Sequence, residues 1–388
     1  MKKALFISSR ELFPIIGGEK IRTAQQLEFL SKLYNVDVIC LSDNPNINLG
    51  PLRKFIKEYH HYYIPKWKNF LHTLKFIFNK KPLQINYYYL EEIQQFIDKN
   101  VNNYDLIFCN NIRTADYILH KKIKPLKCID YVDAISMNYE RAKAKSKGIK
   151  KIIYSIDYNR CNKYEQEVLI DFDFHFIISN IDAQYILKNS PHKQIAIINN
   201  AVELAKEENI CKHETLNTLT FVGKMSYDPN IIAVTNFAQN IMPIIWNKRP
   251  NTRFQIVGAN PSKSVQNLAS INKQIEVTGF VDDINKYMCN STIIVAPMIT
   301  GAGVQNKILQ AMSLGCCIIT TTIGSEGINC TDEEICIVDG NENIANKILE
   351  LLNDKEKRKR YGQKAYSFIK ENLTKEIIFE SFKKELTK

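Results

Sequence analysis

A chain of 388 residues is long enough for two domains, since domains usually run about 100–200 residues. Its 45% hydrophobic and 24% charged composition excludes wholesale disorder, collagen and a disulfide miniprotein. The 52 Lys and Arg against 41 Asp and Glu give a formal net charge of +11, which points to an anionic partner: nucleic acid, a phosphorylated substrate or an acidic membrane surface.

The N-terminus is basic and then apolar, but Ser8-Ser9-Arg10-Glu11 stops the run too early for a signal peptide. No uncharged apolar run reaches the roughly 18 residues of a spanning helix. Short Ile- and Val-rich runs then alternate with helix-period segments. In the first half they cover residues 3–9, 36–42, 106–111, 127–134, 174–180 and 195–202. In the second they cover 218–223, 253–259, 275–281, 292–298, 316–322 and 335–340. Nearly continuous apolar character predicts parallel strands buried on both faces. The intervening helical patterns predict βαβ crossovers, hence two doubly wound α/β domains. A polar stretch, 203–217, reads as the linker, and 366–388 has helical spacing with no strand after it. The ten cysteines are scattered without a CxxC pair, which reads as a reducing cytosol. The seven histidines show no metal spacing, and the adjacent pair His60-His61 suits a strand or loop.

Open α/β sheets bind ligands at the carboxyl ends of their strands. Three strand-end loops carry candidate chemistry. After the first strand, Gly17-Gly18 precedes a helix; bare backbone amides there suit an anion, or form a plain turn. It is not a GxGxxG pattern, which argues against a nicotinamide dehydrogenase. Gly223-Lys224 ends a strand, with a compact charge suited to phosphate or simply solvated. The third loop, 296–315, runs from a strand through Gly301-Ala302-Gly303 into a helix with Lys307 one turn in and Gln310 on the same face. A diphosphate there would meet both the helix dipole and the lysine, and Gln310 could bond a ribose. The polar loop 320–327, which includes Glu326, suits sugar hydroxyls.

At these residues the sequence resembles the retaining glycosyltransferases of family 4, most of all the branch that makes bacterial surface polysaccharides. The matching stretches are Gly17-Gly18 with Arg22, Phe221-Val222-Gly223-Lys224-Met225 with Asp228-Pro229-Asn230, Val257-Gly258-Ala259-Asn260-Pro261, Val277-Thr278-Gly279-Phe280-Val281-Asp282-Asp283, and residues 301–327. The resemblance covers nearly the whole chain and is most specific in its second half. It implies the GT-B fold: two doubly wound Rossmann-like domains facing across a cleft, with a C-terminal helix crossing back to the first. The expected division is 1–202 for the acceptor side, a linker at 203–217, 218–365 for the nucleotide sugar and 366–388 for the returning helix.

The resemblance also implies roles. Lys224 falls where the family has an Arg on the donor diphosphate, and Lys307 matches its second diphosphate-binding base. The Gly18 amide would meet the distal phosphate, and Val281 lies where the base is contacted through backbone. The family's pair of glutamates falls at Ala302 and Gln310, both replaced here. Asp133 remains of a His-Asp pair whose histidine position is Val132. The implied donor set is Gly17, Gly18, Gly223, Gly258, Val281, Gly301, Ala302, Gly303, Gln310 and Glu326, with Lys224, Lys307 and Asp133 carrying the chemistry. The expected reaction moves a sugar from a nucleotide-diphosphate donor to a glycan or lipid-linked acceptor with retention, without a metal or other cofactor. Rival readings are a nucleotide-sugar epimerase, a catalytically silent GT-B partner subunit and a nucleic-acid binder; the last would need basic residues interleaved with stacking aromatics.

The positive charge is one-sided. Residues 51–81 hold eight bases and one acid, and 141–151 hold six bases and none. Within the first window Trp67, Phe70, Leu71, Leu74 and Phe78 follow helical spacing among Lys66, Lys68 and Lys75. That pattern suits either an interfacial helix on an anionic bilayer or a core-packing helix with a wet face. The expectation is a peripheral protein at the inner face of the cytoplasmic membrane, with no nucleic-acid partner.

Overall fold

The computed structural model describes residues 2–75, 79–212, 217–301 and 303–387, the side chains of Lys75, Lys145 and Glu207 excepted. The chain divides into two compact units: Met1–Asn200 with Phe379–Lys388, and Ala201–Ile378.

The first unit is built on a seven-stranded parallel sheet. Its strands are β1 (Lys3–Ser8), β2 (Asn35–Ser42), β3 (Tyr59–Tyr63), β4 (Leu106–Asn110), β5 (Leu126–Asp130), β6 (Phe174–Ile177) and β7 (Ala196–Ile197), in the order β3-β2-β1-β4-β5-β6-β7. Central β1 and β4 read as unbroken apolar runs because helices cover both faces of the sheet. The second unit carries β8 (Thr218–Val222), β9 (Arg253–Val257), β10 (Ile275–Gly279), β11 (Ile293–Ala296), β12 (Ile318–Thr320) and β13 (Cys336–Ile337), in the order β10-β9-β8-β11-β12-β13. Each sheet reverses its order beside its first strand, so the loops after β1 and β4, and after β8 and β11, flank a switch point.

Two expectations need correction. The first sheet has a seventh strand, β3, with the sequence Tyr-His-His-Tyr-Tyr. It pairs only with β2 and is half-buried, so it lacks the aliphatic run used to find the others. The run 127–134 is strand only as far as Asp130: Val132 takes a positive φ of 68°, which turns the chain.

The polar stretch 203–217 runs along the second unit, where the Ala205 and Cys211 amides donate to the carbonyls of Ser313 and Leu314. Residues 213–216 lie outside the described residues. The segment 366–388 is divided between two helices, Lys355–Asn372 and Lys375–Leu386, separated at Leu373-Thr374. From the second helix the buried Phe382 ring packs beside Phe29, Phe108 and Phe176 of the first unit's core, at centroid distances of 5.9, 6.2 and 5.0 Å. All ten cysteines are free thiols. Among the described residues no helix is long and apolar enough to cross a membrane.

Candidate functional site

The second unit gathers five strand-end loops. β8 ends at Val222, and Gly223 follows with its amide bonded to the Val257 carbonyl of β9. Gly258 follows β9 so closely that a Cβ there would lie 1.8 Å from the Gly223 carbonyl oxygen. The Gly258 amide in turn donates to the Gly279 carbonyl at 3.1 Å, joining the end of β10, after which come an exposed Phe280 and a half-buried Val281. Thr321, following β12, donates its hydroxyl to the Met298 carbonyl at 2.7 Å, which fastens the Glu326 turn to the loop after β11.

Lys307 stands at the centre of this group. It lies in the first turn of helix Asn306–Ser313, whose N-terminus has neither a side-chain cap nor an acidic residue. Its Nζ donates to Asn230 Oδ1 at 2.6 Å and stands 4.2 Å from the Phe221 ring centroid. Burial lowers its pKa to about 7. Asn230 is buried, and its Nδ2 donates to the Lys224 carbonyl at 3.0 Å. One carboxamide thus holds the backbone of one candidate lysine and the ammonium of the other. The sequence offered Asp228-Pro229-Asn230 as a motif without a role; in the structure its asparagine forms this bridge. The Lys224 side chain is exposed. Gly301 and Gly303 have positive φ of 144° and 73°, and Gly301 packs towards Pro229 and Gln305. Ala302 lies outside the described residues. Gln310 donates through Nε2 to Asn285 Oδ1 at 2.8 Å, so that end of its amide is already engaged.

The first unit carries the remaining candidates. Gly17, at φ 93°, precedes helix Gly18–Ser31, whose first turn holds Glu19. That carboxylate accepts from Arg10 at 2.7 Å and from Arg113 at 3.1 Å. Arg113, which has no signal in the sequence, also stacks over Tyr88 at 5.2 Å. Arg22 points inward and forms a buried two-pronged pair with Asp130, at 2.6 and 2.9 Å. Gln26 also donates to Asp130, and Asn110 to Gln26, so the pair belongs to a buried network beneath the strand ends. Asp133 accepts from Asn138 Nδ2 at 2.7 Å. Burial, with the Asp182 charge adding to it, pushes its carboxyl up to about 6. Nearby Glu165 accepts from Ser136, and burial pushes it up to about 7.

A pocket of about 290 Å³ opens at the ends of β1 and β2, lined by Arg10, Lys20, Ser42, Lys66, Asn69 and Tyr88 among others. Both of its lysines are paired internally: Lys20 with Glu11 and Lys66 with Asp43, each at 3.0 Å. Asn69 lines it with a buried Oδ1 that has no hydrogen-bond partner. Helix Lys66–Lys75 supplies Lys66 and Asn69 to the pocket and leaves Trp67, Phe70, Leu71 and Leu74 exposed, with Lys68 Nζ 5.6 Å from the Trp67 ring. The Lys75 side chain and Phe78 lie outside the described residues. Among the described residues no His, Cys, Asp and Glu group has the arrangement of a metal site.

Residues 217–354 match the family model described as Glycosyl transferases group 1. An uncharacterized 44.6 kDa protein in the cps region of Klebsiella pneumoniae is 27% identical over 173 residues, and the match covers 42% of this chain and 45% of that relative, less than half its length. Among solved structures, sucrose-phosphate synthase of Thermosynechococcus elongatus superposes with a TM-score of 0.71 at 16% identity, over 100% of this chain and 98% of that one. A TarM mutant of S. aureus, in complex with fondaparinux, alpha-GlcNAc-glycerol and UDP, superposes with a TM-score of 0.72 at 12% identity, over 100% of both chains. At such identities the likeness concerns the fold, and the fold is GT-B: two Rossmann-like units on parallel sheets of seven and six strands, with the glycosyl transferases group 1 match in the second unit.

Proposed function

We propose that the protein is a retaining glycosyltransferase of family 4. It takes a sugar from a nucleotide-diphosphate sugar and passes it to a glycan or lipid-linked acceptor in surface polysaccharide synthesis (capsule, O-antigen or exopolysaccharide). The observation that carries this reading is Lys307. It is a lysine held by Asn230 at an uncapped helix end, beside Gly301 and Gly303, within the stretch that matches the group 1 family model. The UDP in the TarM complex and the cps-region origin of the Klebsiella relative support the donor and pathway classes.

In this reading the diphosphate lies against Lys224, Lys307 and the amides around Gly303. These groups act on the charge that develops as the sugar leaves, where fixed donors are worth most. Gly223, Gly258 and Val281 border the nucleoside, Gln310 the ribose, and Gly17 and Gly18 the distal phosphate. The acceptor hydroxyl attacks the face the diphosphate vacates and gives its proton to the departing phosphate oxygen. The configuration is therefore kept without a dedicated carboxylate base. Asp133 and Glu326 orient sugar hydroxyls. The lysines and the helix dipole supply the positive charge that a divalent cation would otherwise bring, so the reaction proceeds without a metal. The acceptor enters over the first unit. Trp67, Phe70, Lys66, Lys68 and Lys75 rest on an anionic bilayer at the inner face of the cytoplasmic membrane.

A thermal-shift panel of UDP-, GDP-, CMP- and ADP-sugars tests the donor assignment, because a ligand bound only by the folded state raises its melting temperature. A rise with at least one donor, lost in Lys307→Ala together with transfer, is expected. Normal transfer by Lys307→Ala would sink the assignment, and no shift with any donor would favour a silent partner subunit. Turnover of a nucleotide sugar with no acceptor would favour an epimerase.

A further inference from the structure

Three of the ten thiols converge in the second unit. Cys211 Sγ donates to Cys289 Sγ at 2.7 Å and lies 3.0 Å from Cys316 Sγ. They come from distant parts of the chain. Cys211 sits on the stretch that joins β7 to β8, Cys289 closes helix Ile284–Cys289, and Cys316 stands two residues before β12. Local hydrogen bonds fix each one. The Cys211 amide donates to the Leu314 carbonyl and the Cys316 amide to the Ala311 carbonyl, both at 3.0 Å, and Cys289 Sγ donates to the Asn209 carbonyl at 3.6 Å.

The spacing decides between two chemistries that gather thiols. A tetrahedral ion about 2.3 Å from each sulfur would hold the sulfurs roughly 3.8 Å apart. Separations of 2.7 and 3.0 Å leave no room for one. Cys211 and Cys289 stand instead within about 0.7 Å of the bonded distance of a disulfide. Exposure then orders the sulfurs. Cys289 is half-buried, whereas Cys211 and Cys316 are buried, so a small oxidant meets Cys289 first. The hydrogen bond that Cys211 gives to Cys289, with burial behind it, raises the Cys211 pKa. Cys211 thus keeps its proton and points it at Cys289, where it favours the thiolate, the form that reacts. Cys330 is the other half-buried thiol, and it makes no hydrogen bond to a sulfur among the described residues.

We propose that Cys289 and Cys211 form a peroxide-sensitive thiol pair that closes a reversible disulfide between the β7–β8 connection and helix Ile284–Cys289. The Cys289 thiolate attacks one oxygen of hydrogen peroxide or a small organic peroxide. The S–O bond forms as the O–O bond breaks, and the departing oxygen takes up the proton that the thiol released. Cys289 is then a sulfenic acid. Cys211 sulfur attacks the Cys289 sulfur; the S–S bond forms, the S–O bond breaks, and hydroxide leaves with the Cys211 proton as water. Two thiols lose two electrons, and the peroxide is reduced to two waters, or to one water and an alcohol. A dithiol reductant restores both thiols by exchange. The bond joins residues 78 apart in sequence, so it constrains the unfolded chain and fastens the connection to the second unit. All three sulfurs lie towards the amino ends of β11 and β12, away from the carboxyl-end loops around Lys307. The inference therefore does not rest on the donor chemistry.

The test treats the full chain with hydrogen peroxide, alkylates the remaining thiols and maps linked peptides by mass spectrometry. Two of the ten thiols are lost together, and the linked peptide joins Cys211 to Cys289. The oxidised protein melts roughly 5–10 °C above the reduced one, and dithiothreitol removes both the link and the shift. Cys289→Ser and Cys211→Ser abolish the link, while Cys316→Ser and Cys330→Ser retain it. Mapping the wild type needs no variant to fold. A peroxide-treated wild type without the Cys211–Cys289 link overturns the proposal, whether Cys289 is instead joined to Cys316 or carried on to sulfinic acid. Consumption of Cys330 as fast as Cys289 overturns it as well, because the neighbouring thiols then confer nothing. The nucleotide-sugar thermal shift of the reduced protein is the same in all four variants, which keeps this outcome distinct from that of the glycosyltransferase assignment.

Discussion

Lys307 Nζ donates to Asn230 Oδ1 at 2.6 Å, and the same Asn230 side chain holds the Lys224 carbonyl through Nδ2. Burial brings the Lys307 pKa down to about 7, so the empty protein holds this ammonium only weakly at neutral pH. A bound diphosphate favours the charged form. Donor binding above pH 7 must therefore take up a proton, and affinity should fall by up to about tenfold per pH unit there. Calorimetry in buffers of different ionisation enthalpy reads that proton, and its absence would remove Lys307 from the diphosphate. The stability sign is opposite to that of a paired lysine. The unfolded chain binds the extra proton between about pH 7 and 10.5, so this group makes stability rise with pH over that window. Lys307→Met should flatten the rise and lift the melting temperature at neutral pH while abolishing donor binding.

Gly258 and Gly303 both carry a positive φ, of 149° and 73°, but differ in the room around them. A Cβ on Gly258 would overlap the Gly223 carbonyl oxygen, whereas one on Gly303 meets nothing within 4 Å. Gly258→Ala has to push β8 and β9 apart at their carboxyl ends. It should cost upwards of about 2 kcal/mol and the nucleotide-sugar thermal shift with it, as overpacking of a tight site does. Gly303→Ala bears only the left-handed strain of φ 73°, about 1 kcal/mol. Urea melts of the two variants give the comparison, and equal losses would contradict it.

Arg22 was part of the sequence resemblance, but its guanidinium is spent on Asp130. Arg22→Met leaves that carboxylate buried without its partner and should cost about 3–5 kcal/mol, seen as a fall of roughly 10 °C in the melting of the first unit. The donor shift of whatever fraction remains folded should be unchanged. A stable variant with weakened donor binding would instead put Arg22 in contact with ligand.

The two sheets were legible because buried parallel strands write themselves as apolar runs, and all six strands of the second unit follow from that signal. β3 was not, because an edge strand with one neighbour has no need of aliphatic residues, and Tyr-His-His-Tyr-Tyr carries no period. In the donor loops, the glycines and Lys307 could be picked out because positive φ and anion chemistry restrict residue choice. Arg113 could not, and Asn230 was marked only as part of a motif, without its contact: their partners lie 94 and 77 residues away, and a lone Arg or a neutral carboxamide looks the same on any loop.

Asp133 and Glu165 give the protein's stability a pH dependence, and a part for Asp133 in transfer would make activity run in the opposite direction. Burial raises their folded pKa values to about 6 and about 7, from ordinary values of 3.8 and 4.5. Each group's favourable contribution is thus complete below its unfolded pKa and is lost as pH climbs through the folded one. Urea-determined stability should decline between about pH 4 and 7. Glu165→Gln should remove the upper part of that decline and Asp133→Asn the lower. If Asp133 orients a sugar hydroxyl as a carboxylate, kcat should instead rise with an apparent pKa near 6, and Asp133→Asn should abolish that limb and lower the rate while making the fold more tolerant of neutral pH. A rate limb near 6 that survives Asp133→Asn would leave the residue a half-buried acid with no part in transfer.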